Sequence, residues 1–178
     1  MEALTSAFEQ PIAVADPPPD EPLGASGEIV RGWPSPYLVH RATGLMHLPR
    51  FIAKIRYHQT HGSLPKSYRK NYKRGFDRFL CMHLDVDPAE VEAIVCETGD
   101  APLERDARLL QLFPDDLRAA DWNRELIHKG TSEAGREFIL ENLQKMGVPH
   151  LASQILNICD LIDLDEGRIP GYTPSQSA

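Results

Sequence analysis

The sequence predicts an all-α protein, a compact single-domain helical bundle of about six to seven helices. Apolar residues recur at intervals of three and four over most of the chain, which is the period of a helix with one buried face. Residues that favour helix starts and stops separate these segments at helix-like lengths. No segment of five or more residues alternates strictly with β-branched residues, so we expect no strand.

Composition places the chain among soluble globular proteins. The chain has 178 residues, of which 42% are hydrophobic and 25% charged, enough for one domain with its own core. We expect a disordered leader over residues 1–28, a helical domain over 29–168 and a flexible tail over 169–178. The three cysteines show no CxxC spacing, which favours free thiols and a reducing, cytoplasmic location. The apolar runs are too short to span a membrane.

The first helix has clear limits in the sequence. It is predicted to begin at Pro49, because proline suits the first helical position. It should end before Gly62, because glycine readily adopts the left-handed conformation that follows a helix. The predicted buried stripe consists of Leu48, Phe51, Ile52 and Ile55.

Later helices are marked by similar signals. Their starts are assigned to Asp77, Asp87, Asp100, Pro114, Thr131 and Pro149. The start at Asp87 is the clearest, because Glu90 three residues later completes a capping box. We expect the helix after Asp100 to bury Leu103, Ala107 and Leu110. We expect the helix from Pro149 to run unbroken to the acidic end of the domain.

A basic block dominates the charge pattern. No Asp or Glu occurs from Ile29 to Phe76, and this window contains ten Lys and Arg residues. Because the whole chain is −7 and the window is +10, the remainder is −17. The block is therefore expected to meet negative charge from a ligand, a nucleic acid or the acidic part of the same chain.

Within the block, Arg50, Lys54 and His58 form a stripe at helical spacing beside the apolar one. Arginine supplies a planar fork, lysine a point charge and histidine a titratable proton, so the stripe could clamp a carboxylate or phosphate. Alternatively, it is a helix face paired with the acidic half of the chain. Tyr68 lies nearby and could serve as an acid, or could be half-buried with a hydrogen-bonded hydroxyl.

The end of the predicted domain is acidic. Asp160 and Asp163 are three residues apart, and Asp165 and Glu166 follow. Carboxylates at the C-terminus of a helix oppose the helix dipole, which suggests that they have cationic partners. Arg168, the basic block and a metal ion are the alternative partners, and pairing with the basic block is the interpretation we favour. The spacing does not fit a calcium loop, and no recognised zinc or nucleotide motif is present, so we expect no metal and no cofactor.

Several spaced motifs together resemble a known family. They are Leu48-x-Arg50-x-x-x-Lys54-Ile55-Arg56, Gly62-x-Leu64-Pro65-x-x-Tyr68, Gly75-Phe76-Asp77, Trp122-Asn123, Lys129-Gly130 and Asp160-x-Ile162-Asp163-x-Asp165-Glu166-Gly167-Arg168. This pattern, over roughly residues 33–168, resembles a bacterial family of small proteins, the domain of unknown function five-zero-six-nine. The chain departs from typical members at Tyr72-Lys73-Arg74. The resemblance implies the extent of the domain and no particular activity.

The combined hypothesis is a cofactor-independent enzyme of lyase type, performing C–C cleavage or proton transfer on a small anionic carboxylate, aromatic ones included. The candidate catalytic residues are Lys54, His58, Tyr68 and Asp163, and the candidate substrate-binding residues are Arg50, Arg56, Trp122 and Asn123. Nucleic-acid binding and a non-catalytic interaction module are the alternatives. The net negative charge argues against nucleic acid as the partner, and no membrane partner is expected. The sequence is compatible with a homodimer.

Overall fold

The computed structural model describes residues 33–172, apart from the side chains of residues 66 and 67. The predicted all-α fold class is confirmed: these residues form helices, with one isolated bridge between Val39 and Met46 and no strand. The predicted leader, residues 1–28, lies outside the described range. No helix within residues 33–172 is long and apolar enough to cross a bilayer.

Seven α-helices of eight or more residues and two shorter helical segments follow one another within residues 33–172. The seven longer helices are α1 (Leu48–His61), α3 (Phe76–Leu84), α4 (Pro88–Thr98), α5 (Pro102–Leu112), α6 (Ala119–Ile127), α7 (Glu133–Lys145) and α8 (Ile158–Asp165). The shorter ones are α2 (Lys66–Arg69) and a 3₁₀ helix (Pro149–Ser153). The limits predicted for the first helix are confirmed within one residue, and Gly62 ends it with φ of 75°.

The core has two main parts. The larger cluster packs α1, α3, α4, α5 and α6 around Phe51, Leu80 and the fully buried Trp122. The second cluster joins α7, the 3₁₀ helix and α8 around Ile139 and Ile155. α8 contributes to both clusters, through Cys159 to the larger one and through Leu161 and Leu164 to the second, and so joins the two parts of the core.

The buried face of α5 differs from the prediction. Leu103 is 85% exposed and Leu110 is 45% exposed, whereas Leu109 is fully buried. The sequence of α5 contains a second stripe at helical spacing, Leu109 with Leu112 and Phe113, and this stripe packs against the main core. Because both stripes have the period of a helix, the pattern alone could not decide between them.

The segment after Pro149 is also not one continuous helix. The 3₁₀ helix ends at Ser153, and α8 starts anew after Asn157. The Asn157 side chain accepts a hydrogen bond from the Asp160 N–H, and the Asp160 carboxylate accepts one from the Asn157 N–H. This capping box fixes the start of α8 and thereby the position of the acidic residues at its end.

A close backbone contact sets the start of α7. A Cβ atom added to Gly135 would lie 2.6 Å from the Gly130 Cα atom, too close for any side chain. Gly135→Ala should therefore lower the free energy of unfolding by about 1–3 kcal/mol through overpacking. Alanine within a helix normally stabilises by about 1 kcal/mol relative to glycine, so the expected sign is the opposite of the intrinsic preference.

Urea denaturation of the parent and the variant measures this difference. The neighbouring Ala134→Gly provides the matched control, with an expected loss of no more than about 1 kcal/mol. A Gly135→Ala protein as stable as the parent would contradict the close contact.

Candidate functional site

A buried salt bridge joins the beginning of α1 to the end of α8. Arg50 Nη1 donates to Glu166 Oε2 at 2.8 Å, and Arg50 Nη2 donates to Glu166 Oε1, so the pair is bidentate. Both residues are about 3% exposed. Arg50 Nη1 also donates to the Pro34 carbonyl oxygen at 2.8 Å, which ties the N-terminal arm to this pair.

Glu166 has further donors. The Tyr68 hydroxyl donates to Glu166 Oε1 at 2.8 Å, and Arg168 Nη1 donates to Glu166 Oε2 at 2.5 Å. The Arg50 guanidinium lies 5.7 Å from the ring centroids of both Trp33 and Tyr68. A buried carboxylate needs such saturation with donors, because each unsatisfied lone pair would cost stability.

A second buried network lies one turn further along α1. Lys54 Nζ donates to Asp77 Oδ1 at 2.7 Å, and His47 Nε2 lies 2.8 Å from the same oxygen. The Lys73 backbone N–H donates to Asp77 Oδ2. Asp77 was predicted to cap the next helix, but Gly75 precedes α3 and Asp77 is the second residue within it, fully buried. Its carboxylate serves these tertiary contacts instead of the helix end.

His47 stands out within this network. Its φ of 68° is in the left-handed region, which is uncommon for a residue with a side chain. Because the Asp77 carboxylate can only accept, His47 Nε2 must carry the hydrogen of their contact. His47 Nδ1 is then an acceptor, and it is buried without a hydrogen-bond partner among the described residues.

Burial and ion pairing shift the ionisation of this site in opposite directions. Burial opposes the charged form of Glu166, but the charges and hydrogen bonds of Arg50 and Arg168 together outweigh it and lower the pKa of that carboxyl. Burial likewise opposes ionisation of Asp77, and the Lys54 ammonium with the His47 contact lowers its pKa overall. Burial lowers the pKa of His47 to about 4, so the imidazole is neutral at physiological pH.

A cavity of about 610 Å³ opens beside both networks. Its lining includes the ionisable or polar residues His47, Arg50, Lys54, Tyr68 and Glu166. Its apolar walls are Phe76, Phe79, Phe138, Met146, Ile158, Leu161 and Ile162. Asn71 and Asn142 add amides, and the exposed Lys70 and Lys145 add charge at the margin. The arrangement suits a small molecule with an apolar body and a few polar groups.

The comparisons with known proteins identify the family. The family model described as Domain of unknown function (DUF5069) matches residues 35–168, well over half of the chain. The chain belongs to the DUF5069 family. Searches of curated proteins and of solved structures give no match. The match agrees with the resemblance seen in the spaced motifs, and it covers both buried networks of this DUF5069 domain.

Three of the residues singled out in the sequence meet at the cavity of the DUF5069 domain. Arg50, Lys54 and Tyr68 all line it. The other five are not among its lining residues. These are His58, Asp163, Arg56, Trp122 and Asn123. The stripe predicted on α1 is therefore divided, with its first two members at the cavity and its third outside.

The five residues outside the cavity have evident structural contacts. The His58 ring stacks on Tyr72 with centroids 5.2 Å apart. Asp163 accepts from the Ser35 hydroxyl at 2.6 Å and from Arg168 at 2.9 Å. Arg56 pairs with Asp100 near the start of α5.

Trp122 and Asn123 hold the loop before α1. Trp122 is fully buried in the core and donates its indole N–H to the Met46 carbonyl oxygen. Asn123 accepts from the Met46 N–H at 2.8 Å and donates to the Gly44 carbonyl oxygen at 2.9 Å. These contacts fix the loop that carries His47, so both residues support the site from outside the cavity.

Two functional candidates were missed by the sequence interpretation. His47 and Asp77 are separated by 30 residues, so no local spacing shows that they meet. Asp77 was noted within the motif Gly75-Phe76-Asp77, but it was predicted to cap a helix. Asp165 was noted as one of four acidic residues, and nothing in the spacing distinguishes it from Glu166.

Half of the described basic block is neutralised within the protein. Of the eight block cations with described side chains, four pair with acids: Arg50, Lys54, Arg56 and Lys73. The acidic end of the domain therefore contributes to this pairing through Glu166. Among the described residues, no group of three or more His, Cys, Asp or Glu side chains is arranged to hold a metal ion.

Removing the Lys54 charge tests the buried network. Lys54→Met should lower the free energy of unfolding by about 3–5 kcal/mol, because Asp77 would keep a buried charge without its main partner. The opposite expectation follows if Arg50 and Lys54 form an empty anion clamp, since removing one charge would then relieve repulsion. Chemical denaturation at neutral pH measures the difference.

Arg108→Met is the matched control, because Arg108 pairs with the exposed Glu97 at 2.5 Å. Its expected cost is no more than about 1 kcal/mol. Equal stability of Lys54→Met and the parent would show that the network does not depend on the Lys54 ammonium.

Proposed function

We propose that this DUF5069 protein is a cofactor-independent enzyme of lyase type, acting by C–C cleavage or proton transfer on a small anionic carboxylate, aromatic ones included. The observation that carries the proposal is the concentration of buried ionisable groups on one cavity. His47, Arg50, Lys54 and Glu166 line it, and each is no more than 4% exposed. Burying such groups is costly, and cavities that do so are typical of catalytic sites.

The size and walls of the cavity support a small organic ligand. A volume of about 610 Å³ is within the usual range of small-molecule sites. Phe76, Phe79 and Phe138 line it, and Phe79 and Phe138 are 40% and 51% exposed. Exposed phenylalanine rings around a cavity offer stacking and edge contacts to an aromatic ligand.

The charges at the margin favour an anion. Lys70 and Lys145 line the cavity, are exposed, and form no ion pair among the described residues. The one hydrogen-bond partner of Lys54 Nζ within residues 33–172 is Asp77, so two of its three N–H groups have no acceptor there and could donate to a ligand. Arg50 is already paired with Glu166, so its proposed role is to hold the part of the cavity lining formed by these two residues in place.

The structure changes the proposed acid–base assignments. Tyr68 donates its hydroxyl hydrogen to Glu166, and burial together with the charge of Glu166 raises the pKa of Tyr68. A phenol with a raised pKa holds its proton more tightly, so Tyr68 is better suited to binding than to proton transfer. Because His58 and Asp163 do not line the cavity, proton transfer falls to another group on its wall.

Carboxylate binding tests the proposal. Benzoate, phenylacetate and butyrate should each raise the melting temperature, because a ligand that binds only the folded state stabilises it by mass action. At a concentration one hundred times the dissociation constant, the gain is about 2.7 kcal/mol, or roughly 5–10 °C for a domain of this size. The neutral amides of the same acids serve as matched ligands and should give much smaller shifts.

The double variant Lys70→Met/Lys145→Met should reduce the shifts given by the carboxylates. Arg41→Met removes an exposed cation away from the cavity and should leave them unchanged. If no carboxylate stabilises the parent more than its amide does, the cavity does not select anions and the proposal is wrong.

Nucleic-acid binding is the second candidate, and a specific observation favours it. Arg69, Lys70, Arg74 and Arg78 are exposed and form no ion pair among the described residues. They lie close together in the chain, around the turn between α2 and α3. Such a patch attracts phosphates, although the net charge of −7 opposes it.

We expect single-stranded RNA to bind more weakly than about 10 μM at physiological salt, which is weak beside specific complexes. A fluorescence polarisation titration measures this affinity. Tight binding with a steep salt dependence that is lost in Arg74→Gln/Arg78→Gln would promote the nucleic-acid hypothesis over the enzyme hypothesis.

A further inference from the structure

Asp165 differs from the other acidic residues at the end of α8. Glu166 has four donor contacts, and Asp163 accepts from Ser35 and Arg168. Asp160 accepts from the Tyr37 hydroxyl at 2.6 Å and from backbone N–H groups. Asp165 lines the cavity and is only partly exposed, and its carboxylate has no hydrogen bond or ion pair among the described residues.

The surroundings of Asp165 disfavour a second negative charge. Burial and the adjacent Glu166 raise the pKa of Asp165 to about 6, and Arg50 opposes this in part. The other charged or titratable groups on the cavity are Lys54 and His47 from the α1 side, Tyr68 from α2, Lys70 after α2 and Lys145 from α7. Burial and the charge of Asp165 both raise the pKa of Tyr172, which lies beyond α8.

We propose that Asp165 is the proton-transfer residue of the cavity, and that it takes up a proton when a carboxylate ligand binds. This inference rests on the proposed function, because it requires an anionic ligand in the cavity. A ligand carboxylate beside an ionised Asp165 would add a third negative charge next to Glu166. A protonated Asp165 instead donates an O–H···O⁻ hydrogen bond to that ligand, which is a strong contact.

The same proton supplies the acid of a C–C cleavage. In a retro-aldol cleavage, a hydroxyl group of the ligand loses its proton to solvent and becomes the carbonyl group of one product. The electron pair of the broken C–C bond stays on the carbon of the other product and forms a new C–H bond with the proton of Asp165. Asp165 is left as a carboxylate, and solvent returns its proton in the next turnover. Asp165 is suited to this role because no hydrogen bond within the described residues holds it in one protonation state.

Isothermal titration calorimetry with benzoate tests the inference in the full chain. Measurement in two carboxylate-free buffers of different ionisation enthalpy gives the number of protons taken up on binding. From a pKa of about 6, we expect about 0.9 proton at pH 7.2 and about 0.2 at pH 5.5. The uptake should fall with decreasing pH, because the free protein then already holds the proton.

The variant Asp165→Asn distinguishes proton uptake by Asp165 from a general disruption of the cavity. Asparagine keeps the shape and cannot ionise, so proton uptake should be close to zero at both pH values. Benzoate should also bind about tenfold more tightly at pH 7.2, because the repulsion is gone. A variant that merely damaged the cavity would bind less tightly. Asp115→Asn, at an exposed position between α5 and α6 and outside the cavity lining, should behave as the parent.

The outcomes distinguish the two proposals. Benzoate binding without proton uptake, or uptake that persists in Asp165→Asn, would overturn the role of Asp165 and leave the carboxylate site standing. Absence of binding by benzoate, phenylacetate and butyrate would overturn both. If Asp165→Asn does not fold, ¹³C NMR titration of the parent decides: an Asp165 pKa near 6 supports the inference, and one near 4 overturns it.

Discussion

The buried salt bridge between Arg50 and Glu166 is the constraint on which the site depends. Its partners are 116 residues apart, one near the start of α1 and the other directly after α8. An ion pair with both side chains this well buried is tolerable only when every donor and acceptor is satisfied. That requirement explains why the Tyr68 hydroxyl, Arg168 and the Pro34 carbonyl oxygen converge there. The arm before α1, the helix α2 and the residues after α8 are thus held by one pair.

The second network, between Lys54 and Asp77, is also a buried ion pair, and it affects the net charge of the site. Lys54 follows Arg50 by one helical turn, so their charges would repel if both lacked counterions. The carboxylates that pair with them come from two different parts of the chain, Asp77 in α3 and Glu166 after α8. The two networks are close to neutral overall. The charge that the proposed ligand would meet is therefore set by cavity residues outside the two networks, which are Lys70, Lys145 and Asp165.

What the sequence predicts well are features decided by neighbouring residues. The all-α class, the limits of α1 and the capping box at Asp87 follow from helix period and end signals, and the structure has them. The selection of Arg50 and Lys54 as candidate site residues also follows from local sequence, because a stripe on one helix face can be read from spacing. The buried face of α5 was predicted wrongly because two apolar stripes of equal period occur in its sequence. Only packing against the core decides that Leu109 is buried and Leu110 is exposed.

The sequence could not predict which residues far apart in the chain contact each other. Which acid pairs with Lys54 depends on where α3 is placed relative to α1, and no local signal fixes that. The left-handed backbone at His47 is equally invisible, because the loop that carries it is held by Asn123 and Trp122 from α6. A left-handed backbone at a residue with a side chain is strained, and strain of this kind is concentrated at functional sites.

Two groups at the cavity have no hydrogen-bond partner among the described residues, and the proposed function rests on them. Within residues 33–172, Glu166, Asp163 and Asp160 each have donors, so their charges serve the fold. Asp165 and the Nδ1 atom of His47 have none, although both residues line the same cavity. A partly buried, unpartnered carboxylate beside Glu166 lowers stability at neutral pH, since the folded state favours its protonated form. A group that costs stability and supports no other contact is best explained by what enters the cavity beside it.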